Sequence, residues 1–346
     1  MSIVGHRILR VGPVALLWHP RAVAVGLVLM ALCLTCGVLL LGSGSSRLPP
    51  GEILAGLMGS SDNPVANRLV WRIRLPRVLT AALTGAALGL AGAVFQSLSR
   101  NPLGSPDVIG FTTGAASGAI TAIILFTAGP VTIAIAAVAS GVATAATVLI
   151  LARGRRGGTT GGYRLILVGV GVGAVLSGLN TLLLTMGDLE RAMSAQIWLA
   201  GSLEGRTFAH VATGAAGLAI FAPVVMLCIR RLSMMEMGDD MASQLGVPVG
   251  ATRILLVVAS VGLTSIATAC TGPIAFVALA GPQLARRLTR APGAPLLTGA
   301  MMGALLMILA DLIGQNAPLR LVMPIGLTTG FLGGLYLLVV LGLSRR

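Results

Sequence analysis

The chain is 346 residues long, 55% hydrophobic and only 10% charged, with a mean hydropathy of +0.95. Soluble domains carry about 25% charged residues, so these figures exclude a soluble globular fold and predict an all-α integral membrane protein. The formal net charge is +14, yet aromatic residues make up 3% and no basic run is interleaved with stacking side chains. That excludes nucleic acid as a partner. Arginine-rich loops on a cytoplasmic membrane face account for the charge instead.

In chain order, Arg7, Arg10 and Arg21 precede an apolar run from Ala22 to Leu41. The run is too long for a signal-peptide core and reads as a retained first span, with residues 1–21 as a cytoplasmic tail. Cys33 and Cys36 lie in it with C-x-x-C spacing, but with no βαβ pattern and no nearby His; with Cys228 and Cys270 they read as small buried hydrophobes. The charge-free stretches are Ala22–Ser46, Val78–Ser99, Val108–Ala152, Leu165–Gly187, Thr207–Ile229, Ile254–Ala285, Ala291–Ala310 and Leu321–Ser344. Val108–Ala152 divides at Gly129-Pro130. Ile254–Ala285 divides near Thr271-Gly272-Pro273, into halves of about 16 residues where a span needs ~20. Loop charge favours the division. Ten spans with both termini inside keep Arg153, Arg155, Arg156, Arg230, Arg231, Arg286, Arg287 and the terminal Arg345-Arg346 on the cytoplasmic face. The expectation is a single transmembrane domain over residues 1–346.

Between two of these spans lies a polar island, residues 230–253. A short helix is expected from Met234 to Leu245, ended by Gly246 and Pro248. Met234, Met237, Met241 and Leu245 share one face of it, with Asp239 and Asp240 at the rim. Such an amphipathic helix is more than a connector needs, and points to a docking partner. On the outer side, Arg47, Arg68, Arg72, Arg74 and Arg77 are balanced only by Glu52 and Asp62. Two readings stay open there: arginines snorkelling to headgroups, or bidentate pairs with an acidic partner protein.

No Walker A motif, H-E-x-x-H motif or Cys/His metal spacing is present. The alternation Val168-Gly169-Val170-Gly171-Val172-Gly173 lies inside a membrane run and is not a nucleotide loop. Asp107, after Pro106, reads as a helix N-cap. Asp311, beside Gln315 and Asn316, sits at the outer end of the ninth span. A proton- or sodium-coupled carrier buries ionisable groups near the midplane, and none is found there. Energy is therefore expected from another subunit. The alternative, an ion-gradient-driven secondary transporter of a small solute, rests on Asp311 alone.

Several motifs now converge. Arg74-Leu75-Pro76-Arg77, Gly92-Ala93-Val94-Phe95-Gln96 and Arg100-Asn101-Pro102-Leu103-Gly104-Ser105-Pro106-Asp107 occur in order, followed by Gln244-Leu245-Gly246-Val247. Thr271-Gly272-Pro273-Ile274-Ala275-Phe276-Val277, Gly281-Pro282-Gln283-Leu284-Ala285-Arg286-Arg287 and Met323-Pro324-Ile325-Gly326 complete the set. Over nearly the whole chain this resembles the FecCD-like permease family of ATP-binding-cassette importers for iron–siderophores, haem and vitamin B12. Residues 99–111, 236–240 and 333–341 are similar to one subunit of the ferric-enterobactin type, which works as two different membrane subunits.

The resemblance implies a type II importer permease fold in the bacterial inner membrane, with no enzyme activity and no cofactor of its own. ATP and Mg belong to two cytosolic ATP-binding subunits. A second homologous permease subunit and an extracytoplasmic substrate-binding protein complete the machine, and the cargo is a ferric siderophore. It places ATPase coupling on Met237, Asp239, Asp240, Gln244, Leu245, Gly246 and Val247. Binding-protein docking falls on Arg74 and Arg77, with Arg72 beside them and Arg320 standing in for an arginine whose matching position is Gln315. The cytoplasmic gate falls on Asn101 and Leu103, and on Thr160, Gly161 and Gly162. Ser177 and Asn180 are the polar candidates for the pathway.

Overall fold

The structure is a computed structural model that describes residues 7–11, 14–44, 49–58, 64–107, 109–152, 162–316 and 323–343. Helices dominate. A short antiparallel hairpin of β1 (Arg7–Val11) and β2 (Val14–Trp18) precedes them, within the tail for which the sequence carries no structural signal. The first span, α1 (Pro20–Gly42), starts on a proline that supplies no orphan N–H. Two short helices follow, α2 (Pro50–Leu57) and α3 (Pro64–Leu69), and a π turn over Val70–Arg74 runs straight into α4 (Leu75–Ser99).

Then come α5 (Phe111–Phe126), α6 (Pro130–Ala152), α7 (Gly162–Met186), the short α8 (Leu189–Leu199) and α9 (Phe208–Leu227). The polar island forms α10 (Ile229–Glu236) and α11 (Asp239–Gln244). The chain closes with α12 (Val249–Thr271), α13 (Val277–Thr289), α14 (Leu296–Gln315) and α15 (Ile325–Leu343).

Among the described residues, seven helical segments are long and apolar enough to cross a membrane, with α5 and α15 as shorter apolar helices. The remaining one of the ten expected spans falls on α13, which has 13 residues, carries Arg286 and Arg287 in its last turn, and is not among these apolar helices. The division at Thr271-Gly272-Pro273 is real but unequal. The helix before it is 23 residues long because it begins at Val249 and takes in Arg253; the helix after it has only 13. Gly272 turns the chain at φ 76, and a side chain there would strike the Trp198 carbonyl.

α4 is the axis of the bundle, buried over most of its length between α9, α12, α13 and α14. Lipid offers no hydrophobic drive for helix association, so close backbone approach has to supply it. Gly85 and Gly89 of α4 meet Gly299 and Gly303 of α14, and a Cβ on Gly85 would lie 2.8 Å from the Ala304 Cα. The spacing of four on both helices is what makes the two backbones touch. Phe95 and Phe111 close the core at one end, with ring centroids 5.6 Å apart and planes tilted by 45°; such a pair adds about 0.5–1.5 kcal/mol.

Candidate functional site at the two ends of the bundle

The chain alternates between two ends of the bundle, so the N-terminus of α4 and the C-terminus of α14 share one end, and the polar island occupies the other. At the first end, the π turn changes the helical phase just before α4. Arg74 is thereby turned inward, 7% exposed, and donates to the Leu41 carbonyl. One turn on, Arg77 grips Asp311 in a bidentate pair, Nε to Oδ2 at 2.8 Å and Nη2 to Oδ1 at 2.7 Å. Gln315 Nε2 adds a third bond to Asp311 Oδ2 at 3.1 Å.

This corrects the picture of a free arginine rim: Arg74 and Arg77 are held within the chain, and of the arginines proposed for docking only Arg72 projects openly among the described residues. The one carboxylate on which the ion-gradient alternative rests, Asp311, is 3% exposed and already paired with Arg77. Arg320 lies outside the described residues.

At the opposite end, the single helix expected over Met234–Leu245 is two. Gly238, at φ 125, ends α10 and starts α11 on a new axis. Met235 and Leu232 are buried and Met234 is half-buried, so one member of the expected stripe turns inward. The other three stay out: Met237, Met241 and Leu245 are 60%, 52% and 56% exposed. Gln244 and Gly246 are exposed beside them, and Gly246, at φ 80, has open space around it. Val247 is buried, its N–H on the Ala242 carbonyl at 3.0 Å.

Asp240 is exposed, but Asp239 is not at a rim. Arg253 Nη2 donates to both of its oxygens at 2.8 Å, and that arginine is 1% exposed. Arg100 Nη2 approaches the same carboxylate at 4.0 Å. The neighbouring acid, Glu236, is paired with Arg286 at 3.2 Å. Sequence reading missed Arg253, Arg100 and Arg286 as partners of these acids. The signal was the co-occurrence of acids and arginines in and around one island, without a periodicity to say which would meet.

Next to the island lies the loop that follows α4. Asn101 and Leu103 are exposed in it, and Asn101 Oδ1 accepts from the Leu103 N–H at 2.9 Å. Gln283 Nε2 donates to the Pro102 carbonyl at 2.6 Å, and the Tyr336 hydroxyl donates to Gln283 Oε1 at 3.2 Å. Gln96, Arg100, Asn101, Pro102, Glu236, Gln283, Arg286 and Arg287 surround a cleft of about 510 Å³.

Further along, Asp107 is not the N-cap of α5; Gly110 is, at φ 83. The carboxylate accepts from Thr112 Oγ1 in the first helical turn, while its Oδ2 is shielded with no hydrogen-bond partner. Desolvation by burial pushes its carboxyl up to about 6, partly offset by the Thr112 bond.

The remaining expected residues are less informative. Thr160 and Gly161 lie outside the described residues, and Gly162 opens α7. Ser177 is exposed and Asn180 buried, one turn apart on α7. Among the described residues no three His, Cys, Asp or Glu side chains group to hold a metal ion.

A polytopic bundle of this kind, with a broken amphipathic segment at one end and an arginine-bearing π turn at the other, is of the membrane-permease class. Residues 29–342 match the FecCD transport family, and the chain belongs to it. It is 43% identical over 321 residues to the ferric enterobactin transport system permease protein FepG of Escherichia coli, spanning 93% of this chain and 96% of that one. It is also 36% identical over 324 residues to the achromobactin transport system permease protein CbrC of Dickeya dadantii, 91% of each. A solved structure described as an inward-facing conformation of a metal-chelate type ABC transporter superposes with a TM-score of 0.81 at 28% identity, covering 92% of this chain and 98% of that one. The chain is thus a multi-pass ABC permease subunit of type II fold, from a family of transport rather than catalytic proteins.

Proposed function

We propose that the chain is the transmembrane permease subunit of an ATP-driven importer that moves a ferric siderophore, of the catecholate enterobactin type, across the bacterial inner membrane with both termini cytoplasmic. The observation that carries this reading is the exposed patch of Met237, Met241, Leu245 and Gly246, on the outer face of a helix pair whose inner face packs on the bundle through Leu232, Met235 and Ala242. Flexible thioether side chains around a bare glycine backbone suit a groove on a separate ATP-binding subunit, and the similarity to siderophore transport permeases supports the presence of such a partner. Hydrolysis, with its ATP and Mg, belongs to two such subunits. A second, homologous permease subunit pairs with this one, and an extracytoplasmic binding protein delivers the chelate near Arg72.

Affinity purification from native membranes tests the reading. The ATP-binding subunit and the second permease subunit should co-purify with the wild-type chain, and a Leu245→Arg/Gly246→Arg variant should lose the ATPase while keeping the second permease. Retention of the ATPase by that variant would overturn the docking assignment.

A further inference from the structure

We propose that two polar routes inside this chain tie the docking helices α10 and α11 to the loop at residues 100–104, so that displacement of the helices is delivered to Asn101 and Leu103. The inference rests on the reading of α10–α11 as the ATPase-docking element and of that loop as the gate. Two of the island's three acids, Glu236 and Asp239, are the origin of the two routes, and each is already paired with an arginine of this chain.

The first route is short. Asp239 opens α11 and is locked to α12 by the buried Arg253, so α11 and the start of α12 move together. On its other side stands Arg100, the left-handed C-cap of α4 at φ 50 and the residue immediately before Asn101. At 4.0 Å, Arg100 and Asp239 are in electrostatic reach but beyond a hydrogen bond. An approach of roughly 1 Å makes a charge-assisted bond of 2.7–2.9 Å. A similar retreat, in a half-exposed setting, loses most of the attraction. The strength of the contact is therefore sensitive to a small movement.

The second route passes through α13. Glu236 of α10 holds Arg286 at 3.2 Å. Gln283 lies one turn back on the same helix, so the two side chains share a face. Gln283 Nε2 grips the Pro102 carbonyl at 2.6 Å, and Tyr336 fixes the amide by donating to its oxygen. Pro102 sits between Asn101 and Leu103, which are themselves joined by the Asn101 Oδ1 bond to the Leu103 N–H. Asx turns of this kind hold their residues as a unit, so a pull at Arg100 or at Pro102 moves both loop residues at once. The cleft of about 510 Å³ enclosed by these side chains leaves room for the movement. Arg100 and Gln283 are positioning residues: they touch neither cargo nor nucleotide.

The test uses the assembled transporter in proteoliposomes with loaded binding protein, reading uptake and ATP hydrolysis together. An exposed pair at this distance adds little to stability, so Arg100→Ala should assemble with its partners and hydrolyse ATP at close to the wild-type rate. Its uptake per ATP should fall roughly tenfold, within the range that coupling between sites spans. Gln283→Leu should behave likewise, while Arg100→Lys and Gln283→His, which keep a donor at each place, should recover most of the ratio. An unchanged ratio in the Arg100→Ala/Gln283→Leu double variant would overturn the inference. So would a loss of uptake matched by an equal loss of hydrolysis. A wild-type complex that accumulates no chelate with ATP would instead bring down the importer reading on which the inference rests.

Discussion

Burial pushes the Asp107 carboxyl up to about 6, well above its unfolded value, and the consequence for stability has a definite sign. An acid whose folded pKa is raised binds its proton more tightly in the folded state. Stability then falls as pH rises from about 4 to about 6 and stays lowered above that, by up to about 3 kcal/mol. The melting temperature of the purified subunit should therefore climb as pH drops from 7 to 5, and Asp107→Asn should flatten that slope while raising stability at pH 7. A slope unchanged in Asp107→Asn would place its origin elsewhere. At the other end, Arg77→Ala strands the buried Asp311 carboxylate and should destabilise the chain by about 3–5 kcal/mol, measurable as a lower melting temperature. Arg77 is thus a poor probe of docking. Arg72, exposed in the π turn just before α4, is the clean one: Arg72→Glu should weaken binding-protein affinity, more at low ionic strength than at high.

At the scale of helices, the charge-free runs were legible because lipid leaves the backbone no other option. They located α1, α4, α7 and α9 to within a few residues, and the Gly129-Pro130 break between α5 and α6, and placed α14 five residues early. What stayed illegible has physical causes. α12 begins at Val249 rather than Ile254 because Arg253 is neutralised by Asp239, fourteen residues upstream on another helix, so a charge that reads as loop lies in a span. The apolar spacing of Met234, Met237, Met241 and Leu245 fits one helix, yet Gly238 adopts φ 125 and splits it; only the acids on either side, pulled toward Arg286 and Arg253, explain the turn. The π turn before α4 leaves no compositional trace, and it decides that Arg74 points inward. Two element-scale predictions follow from these contacts. Gly238→Ala forces a side chain into a backbone region it rarely adopts, costing about 1–3 kcal/mol, and should weaken ATPase docking by misaligning α11. Gly303→Leu, set against the Gly89 Cα at 3.0 Å, should prop α14 off α4 and sharply reduce the folded yield in the membrane.

At the scale of the whole molecule, the chain carries a tightly packed axis and two specialised ends, and belongs to a transport family. Among the described residues the acid near the C-terminus of α14 is paired with Arg77, and Asp239 and Glu236 of the island are paired with arginines of α12 and α13, while Asp240 and the apolar patch on α10–α11 stay exposed; on the proposed function, that patch is the place where work from outside enters. Loss of that patch should abolish uptake without unfolding the bundle. The decisive measurement is uptake of ferric siderophore into proteoliposomes holding the complete complex, with ATP and a protonophore varied independently. Accumulation should require ATP, persist when the protonophore collapses every proton gradient, and disappear in the Leu245→Arg/Gly246→Arg variant. Accumulation that survives without ATP and fails with the protonophore would contradict an ATP-driven permease.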